Sequence, residues 1–254
     1  MKNLVDYKFD VTMIRNCEEI PQLIDSDYLL LPIPTLNKSN LLNLYSSENG
    51  IEITELLDKI SERTRIISCN YSGTSHIIID INKREDFAYL NAIPTAEGAI
   101  YKAIESSEKS LFDCNILVTG FGRVAKVLCS RLVGFSKNIT VAARSLTDLS
   151  YSSSLGYKTL NIYDLSDHIS KFDLIFQTVP HIILDKNIID NMNPDTIVIE
   201  LSSKSCGTDY SYADSKPVKI IHAPALPEKI APLTAGNILT KSVLSIIAEE
   251  ESKA

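Results

Sequence analysis

Gly120 and Gly122 stand where the chain could bind the phosphates of a dinucleotide. Residues 120–125 read Gly-Phe-Gly-Arg-Val-Ala, which follows the spacing G-x-G-x-x-A. In this pattern the first glycine permits a tight turn, the second lets the backbone approach a pyrophosphate, and the small sixth residue allows a helix to pack on a strand. Free N–H groups at the helix start would face the phosphates. We predict that the residues contacting a dinucleotide cofactor here are Gly120, Phe121, Gly122, Arg123 and Val124.

The elements that must position this turn lie on either side of it. Ile116–Val118 is an apolar run, Val124–Val133 has helical periodicity, and Ile139–Ala143 is a second apolar run. A strand, a glycine turn, a helix and a strand within about 30 residues have the size of a βαβ unit. An ordinary strand–helix turn can also carry such glycines, but the flanking elements favour dinucleotide binding.

The tip of the second strand should select the cofactor. A site for NAD usually has Asp or Glu about 20 residues after the first glycine, where it binds the ribose 2′-hydroxyl. This chain instead has Ala143, Arg144 and Ser145. Arg144 can bind a 2′-phosphate through two hydrogen bonds and Ser145 can donate another. We therefore predict NADP in preference to NAD; the alternative is that Arg144 is an ordinary solvated arginine.

Further candidates follow from the rule that ligands of parallel α/β sheets lie beyond the carboxyl ends of the strands. We expect the later strand ends to contact the cofactor through Thr178, Val179, Pro180, Leu201 and Ser202. Hydroxyls and a cation just after them suit a small anionic substrate, and these residues are Ser203, Lys204 and Thr208. Lys204 is equally compatible with an ordinary surface lysine.

Thr95 and Glu97 are the other substrate candidates. Ile93-Pro94-Thr95 is typical of a helix start, which would place the Thr95 hydroxyl and nearby N–H groups toward a carboxylate. The alternative is that Thr95 only caps the helix and Glu97 only complements its dipole. His181 and His222 end predicted strands but have no neighbouring carboxylate in sequence. The catalytic acid or base therefore stays unassigned.

Composition excludes several classes of protein. The chain has 254 residues, is 44% hydrophobic and carries a net charge of −7, with a pI near 5.2. Nucleic acid is therefore not expected as a partner. No apolar run reaches the length of a membrane span, and the N-terminus lacks the apolar core of a signal peptide. Five widely spaced cysteines and scattered histidines indicate reduced thiols, a cytoplasmic protein and no metal site.

The order of elements predicts an α/β fold: a doubly wound parallel-sheet Rossmann domain with a second, smaller α/β domain. We expect the N-terminal α/β domain at residues 1–90, a connecting helix at 91–112, and the NADP-binding Rossmann domain at 113–233. A C-terminal helix at 234–254 should pack back on the first domain. Phe9–Ile14 and Phe87–Leu90 are expected to be short strands.

Several motifs together resemble the A subunit of dipicolinate synthase. They comprise Asn91–Gly98 (NAIPTAEG), Gly120–Arg123 (GFGR), Ala143–Ser145 (ARS), Gly207–Tyr210 (GTDY), Ala223–Pro227 (APALP) and Ala231–Gly236 (APLTAG). The resemblance runs from about Phe87 to Leu244. It implies a sporulation enzyme of the bacterial mother cell, on a branch of the lysine pathway, that oxidises dihydrodipicolinate to dipicolinate with NADP. It also implies that the partner is the flavoprotein-like B subunit of dipicolinate synthase, while homo-oligomerisation is left open.

This chain departs from the family pattern at three places. The family usually has an additional strand–helix unit near the N-terminus, so a shortened first domain is expected. Lys204-Ser205-Cys206-Gly207 stands where the family tends to have Arg-Pro-Gly-Gly, and Glu228 replaces a small residue. Two alternative functions remain: a catalytically silent, NADP-binding subunit of a heteromeric complex, and a 2-hydroxyacid-type dehydrogenase. The second normally needs an arginine, a carboxylate and a histidine in fixed relation, which this sequence does not reveal.

Overall fold

The computed structural model describes residues 9–13, 26–36, 41–42, 52–71, 76–202 and 207–253. The chain divides into two compact units. Unit 1 comprises Met1–Ala88 together with Asn237–Ala254, and unit 2 is the continuous stretch Tyr89–Gly236. The strand predicted at Phe9–Ile14 is wrong for residues 9–13, which have no regular structure, and Ile14 lies outside the described residues.

The elements follow one another as short strands and helices. Within the described residues the strands are β1 (Tyr28–Leu30), β2 (Arg65–Ser68), β3 (Ile78–Asp80), β4 (Ile116–Thr119), β5 (Ile139–Ala143), β6 (Lys158–Asn161), β7 (Leu174–Gln177), β8 (Ile197–Glu200) and β9 (Lys219–His222). The α-helices are α1 (Ile53–Leu57), α2 (Glu85–Ser106), α3 (Arg123–Leu132), α4 (Leu146–Ser154), α5 (Lys186–Asp190), α6 (Tyr210–Ala213), α7 (Leu226–Ile230) and α8 (Pro232–Glu251). Short 3₁₀ segments lie at Ile81–Lys83, Leu111–Asp113, Ile162–Asp167 and Ile169–Lys171.

Unit 1 contains a three-stranded parallel sheet in the order β1-β2-β3. Its central strand is almost entirely buried, because Ile66 and Ile67 point to opposite faces and each meets a different apolar cluster. The cluster on the Ile67 side combines residues from both ends of the chain, namely Ile67, Cys69, Ile81, Phe87, Ile238, Val243, Ile246 and Ile247.

Two arginines of unit 1 bind the acidic end of α8. Arg84 donates to both carboxylate oxygens of Glu249 at 2.7 Å, and also to Asp86 at 3.0 Å. Arg65 lies 3.3 Å from Glu250. The hydrogen bonds from Arg84 lower the pKa of Glu249 to about 2. Carboxylates are unfavourable at a helix C-terminus, and these cations offset the repulsion.

Unit 2 contains a six-stranded, all-parallel sheet in the order β6-β5-β4-β7-β8-β9. Counted within the unit, this is the order 3-2-1-4-5-6 of the doubly wound dinucleotide-binding fold. The strand order reverses between β4 and β7, so a crevice for a ligand is expected at their carboxyl ends. The fold class predicted from the sequence is confirmed.

The strands of this sheet read as continuous apolar runs because both faces are covered. Ile116 and Val118 enter one cluster while Leu117, between them, enters the other. The same alternation holds along β7, where Leu174 and Phe176 face one side and Ile175 the other. Covering both faces fixes the strand register, and therefore fixes where the carboxyl ends of the strands meet.

The connecting helix predicted at residues 91–112 is α2, which begins earlier than predicted. It starts at Glu85 and runs through Pro94 to Ser106, so the predicted strand Phe87–Leu90 is wrong. A proline often marks the first helical turn, but here it is internal and leaves the carbonyl four residues earlier without its helical N–H. Ala96 and Ala99, both fully buried, pack this helix into the core of unit 2. Packing therefore outweighs the cost of the proline.

Candidate functional site

The glycine turn lies at the point where the sheet order reverses. Gly120 follows β4 with φ +78°, a conformation that favours glycine, and its N–H donates to the Ala142 carbonyl at 2.7 Å. A Cβ at this position would lie 2.8 Å from a methyl of Val179. The turn is therefore held against both neighbouring strand ends, and only glycine fits without displacing them.

Gly122 has a different reason to be glycine. It precedes α3 as the N-cap residue with φ −76° and ψ −170°, an extended backbone that any residue adopts. A Cβ there would meet nothing within 4 Å. The free protein does not need a glycine here, and the absence of a side chain leaves this part of the backbone accessible to a ligand. The first-turn N–H groups of α3, at Arg123 and Val124, adjoin this open space.

Two other members of the motif serve packing. Ala125 is fully buried among the strands and α3, as expected where a third glycine often stands. Phe121 is 3% exposed and its ring meets Tyr151 and Tyr157 edge-on at about 6 Å. Its side chain is therefore part of the core, so only the backbone of Phe121 can contact a cofactor.

The tip of β5 presents a cation. Ala143 is buried, whereas Arg144 is exposed and has no hydrogen-bond or ion-pair partner among the residues that the structure describes. Ser145 caps α4, since its hydroxyl accepts from the Asp148 N–H at 3.3 Å. That bond uses a lone pair of Ser145 and leaves its O–H able to donate. No carboxylate occupies residues 142–145.

The loop after β7 faces the glycine turn. Thr178 donates its hydroxyl to the Thr119 carbonyl at 2.6 Å, which joins the ends of β4 and β7. Val179 and Pro180 continue this loop. After β8, the Leu201 N–H donates to the Gln177 carbonyl at 2.9 Å and Ser202 is 5% exposed. The structure thus brings the predicted cofactor residues at the ends of four strands, β4, β5, β7 and β8, to one edge of the sheet.

The helix start predicted for Thr95 and Glu97 is wrong. Both lie in the interior of α2, and the Thr95 hydroxyl donates to the Asn91 carbonyl at 2.7 Å. Interior N–H groups of a helix are already used, so they cannot serve a substrate carboxylate. Glu97 lies 3.6 Å from Arg131 and is itself an anion. The physical reason for assigning these two residues to a dicarboxylate is therefore lost.

The Thr208 hydroxyl also has a hydrogen-bond partner within the protein. It is fully buried, and its hydroxyl donates to the Glu200 carboxylate at 2.9 Å. Ser203 and Lys204 lie outside the described residues. Thr208 forms part of the wall of a cavity of about 460 Å³. The other lining residues are Pro180, His181, Ile182, Asp209, Tyr210 and Ser211.

The surroundings of two histidines and two cysteines are defined within the described part of the chain. His181 is exposed in the wall of this cavity, and His222 lies edge-on to Tyr210 with ring centroids 6.0 Å apart. Burial raises the pKa of Cys114 and raises that of Cys129 to about 12, which keeps both thiols protonated and unreactive.

Among the described residues no cluster of His, Cys, Asp and Glu could hold a metal ion. None of the described helices meets the requirements for crossing a membrane.

Gln177 and Glu200 are two polar residues of this site that the sequence patterns did not single out. Each is the last residue of a buried strand and each is fully buried itself. The signal was available, because a polar residue that ends a run such as Leu174-Ile175-Phe176 must find a hydrogen-bond partner in the interior. Both lie at the edge of the sheet that carries the predicted cofactor residues.

The sheet order and the glycine turn at its reversal point define a dehydrogenase-like protein of the Rossmann class. Within that class, the chain is 28% identical over 98% of its length to the A subunit of dipicolinate synthase from Bacillus subtilis (strain 168), and it covers 86% of that protein. The resemblance inferred from the motifs is confirmed. No family model matches the chain.

Solved structures agree with this similarity. The A subunit of dipicolinate synthase from Bacillus halodurans matches with a TM-score of 0.79 and 29% identity, covering 87% of this chain and 79% of that one. The A chain of dipicolinate synthase from Bacillus subtilis gives 0.85 and 26%, with coverage of 98% and 87%. The transhydrogenase of Sinorhizobium meliloti matches with a TM-score of 0.60 at 14% identity, covering 90% of this chain and 75% of that one, and shows the fold alone.

Proposed function

We propose that the chain is an NADP-dependent oxidoreductase that converts dihydrodipicolinate to dipicolinate. The observation that carries the proposal is the open backbone at Gly122, beside the first-turn N–H groups of α3, in a chain similar to the A subunit of dipicolinate synthase along nearly its whole length. A pyrophosphate is the ligand that such a turn accommodates. Gly120, Gly122 and the N–H groups of Arg123 and Val124 would hold it.

The preference for NADP rests on the tip of β5. Arg144 is exposed and carries a guanidinium with no partner among the described residues, which suits two parallel hydrogen bonds to a 2′-phosphate. Ser145 retains its O–H as a second donor. Because residues 142–145 hold no carboxylate, nothing there repels the phosphate or binds the 2′-hydroxyl of NAD. The residues that would line the remainder of the cofactor site are Thr178, Val179, Pro180, Leu201 and Ser202.

The reaction removes a hydride and a proton from the dihydropyridine ring and leaves an aromatic product. When bound, oxidised NADP supplies the hydride acceptor. The protein's contribution is to hold the ring against the nicotinamide and to bind two carboxylates in a chain with net charge −7. Ser203 and Lys204 remain our proposed carboxylate ligands, and the cavity walled by His181 and Ser211 adjoins the cofactor loop at Pro180.

The relatives are named as one subunit of a synthase, which favours a second candidate function. In that alternative this chain holds NADP but needs a second, flavoprotein-like subunit for turnover. Both candidates predict cofactor binding by the purified chain, and they differ in whether that chain is active without the second subunit.

The test combines a binding and a turnover measurement. The purified chain is titrated with NADP by calorimetry and then incubated with NADP and freshly prepared dihydrodipicolinate, while reduced cofactor and dipicolinate are followed by absorbance. Formation of both by the chain alone supports the first candidate, and formation only after the second subunit is added supports the other. Absence of heat with NADP and with NAD overturns both. The preference for NADP over NAD is tested by repeating both titrations with the variant Arg144→Asp.

A further inference from the structure

A group of buried polar side chains lies at the carboxyl ends of β4, β7 and β8. We call it the edge cluster; its members are at most 5% exposed and comprise Thr119, Gln177, Glu200, Ser202 and Thr208. Each such group costs about 1–3 kcal/mol if it is buried without a hydrogen-bond partner. Apolar residues would fill these positions without that risk, so the polar character of the cluster points to a role beyond packing.

Gln177 connects the loop after β7, which is proposed to contact the cofactor, to the segment that begins at Gly207. Its Oε1 accepts from the Thr119 hydroxyl and, at 3.0 Å, from the Val179 N–H. Its Nε2 donates to the Gly207 carbonyl at 2.9 Å. One amide therefore bonds to the end of β4, to the loop proposed to contact the cofactor, and to the chain at Gly207.

Glu200 fixes the same region from the next strand. Its two carboxylate oxygens accept from the Ser202 N–H at 3.1 Å and from the Thr208 hydroxyl at 2.9 Å. The Ser202 hydroxyl in turn accepts from the Gly207 N–H at 3.3 Å. Ser202 and Thr208 are thus bound to one carboxylate, and Lys204 lies in the chain between them.

Gly207 is glycine because of its contact with Gln177. A Cβ at this position would lie 2.0 Å from Nε2 of Gln177 and 2.4 Å from its Cδ. The Gly207 carbonyl also accepts from the N–H groups of Ile183 and Leu184 at 2.8 and 2.9 Å, so it is a shared acceptor for three donors. A methyl group here would force the Gln177 amide away from its partners.

We propose that Gln177 is a positioning residue that couples the loop at Val179 to Gly207 and Thr208, so that bound NADP and the dicarboxylate substrate are held in register. The proposal rests on the proposed function. The glycine turn itself is held independently, by the Gly120 N–H on Ala142 and the Thr178 hydroxyl on Thr119. Loss of Gln177 should therefore affect the substrate more than the cofactor.

The first test is Gln177→Met, which keeps the approximate volume and removes both polar atoms. We expect the substrate KM to rise at least about tenfold, with the dissociation constant of NADP changed less than about threefold. Gly207→Ala should give the same defect, because the added Cβ would displace the Gln177 amide from its partners. Gly134→Ala is the matched control, since a Cβ there makes only an ordinary contact.

A second variant separates positioning from stability. Gln177→Glu keeps an acceptor for Val179 but places a carboxylate against the Gly207 carbonyl. Only the protonated acid can donate there, and burial favours that form. Relative to wild type, activity should therefore be regained as the pH falls from about 8 to about 6. A purely structural role predicts that thermal stability recovers over the same pH range, whereas positioning predicts recovery of activity in a variant that stays folded throughout.

Hydrogen exchange measures the coupling without turnover. Adding NADP to the wild type should slow amide exchange at residues 207–211, and the same addition to Gln177→Met should not. The coupling is overturned if wild type binds NADP without protecting these amides, or if folded Gln177→Met and Gln177→Glu both keep wild-type KM, kcat and pH profile. A wild type that binds no NADP overturns the proposed function, and the coupling with it. Thermal unfolding establishes that each variant is folded.

Discussion

Gly122→Ala should separate folding from cofactor binding. The added methyl meets no atom within 4 Å and the backbone is extended, so the free protein has no steric reason to resist it. Alanine is a poorer N-cap residue than glycine, at a cost of roughly 0.3–1.5 kcal/mol. Against this, replacing glycine restricts the unfolded chain and contributes about 0.4–1 kcal/mol of stability. The two effects nearly cancel, and the unfolding free energy should change by less than about 1 kcal/mol.

Cofactor binding should respond differently. The methyl would occupy the space through which a pyrophosphate reaches the N–H groups of α3. A hydrogen bond to a charged group contributes about 1.5–3 kcal/mol, so the dissociation constant of NADP should rise roughly tenfold to a hundredfold per bond lost. Calorimetry measures the constant, denaturant unfolding measures the stability, and Gly134→Ala is the control.

Two results would refute this reasoning. If Gly122→Ala binds NADP as tightly as wild type, the open space at Gly122 is not the phosphate site. If instead its unfolding free energy falls by more than about 2 kcal/mol, the position is constrained in the free protein. The loss of binding would then follow from the loss of stability.

The remaining predictions concern other parts of the chain. Arg144→Asp should lower the ratio of NADP to NAD affinity at least about tenfold, because it exchanges a phosphate ligand for a carboxylate. Gly120→Ala should cost about 1–2 kcal/mol for its positive φ, and more for the contact with Val179, as measured by denaturant unfolding. The pKa of Glu249 falls from an ordinary 4.5 to about 2 on folding, so its contribution to stability is present above pH 4.5 and is lost as the pH falls through 2. Arg84→Ala should flatten the acid side of the stability curve in that range.

Each of these has a contrary outcome. An unchanged ratio of NADP to NAD affinity in Arg144→Asp would contradict the proposal that Arg144 binds the 2′-phosphate. A Gly120→Ala variant as stable as wild type would contradict the positive φ. Identical acid unfolding profiles for Arg84→Ala and wild type would show that the ion pair with Glu249 does not form in solution.

Local patterns were sufficient where the chain obeys short-range rules. The strands around Gly120 could be predicted because both faces of the sheet are covered, which leaves long apolar runs, and because the turn needs glycine for its positive φ. The start of α2 could not. In the sequence, Pro94 resembles a first-turn proline and therefore predicts a later helix start. In the structure it is internal, because the packing of buried alanines of the same helix outweighs the cost of the proline.

The site was harder to predict than the fold for a physical reason. Hydrogen bonds across strands join residues far apart in sequence, such as Gln177 with Gly207. The sequence placed Thr208 among the substrate ligands because a hydroxyl near a strand end often has that role. The partner that takes the hydroxyl, Glu200, is identified only once the register of β8 is known.

The discontinuity of unit 1 has a consequence for biosynthesis. Unit 2 is a single stretch of the chain, whereas one apolar cluster of unit 1 needs Ile67 and Phe87 from early in the sequence together with Val243, Ile246 and Ile247 on α8. A ribosome releases residues in order, so the Rossmann sheet can close while those early strands still expose the surface that α8 will cover. During translation the early segment is therefore the one most open to aggregation. Truncation near residue 237 should impair the folding of unit 1 before that of unit 2.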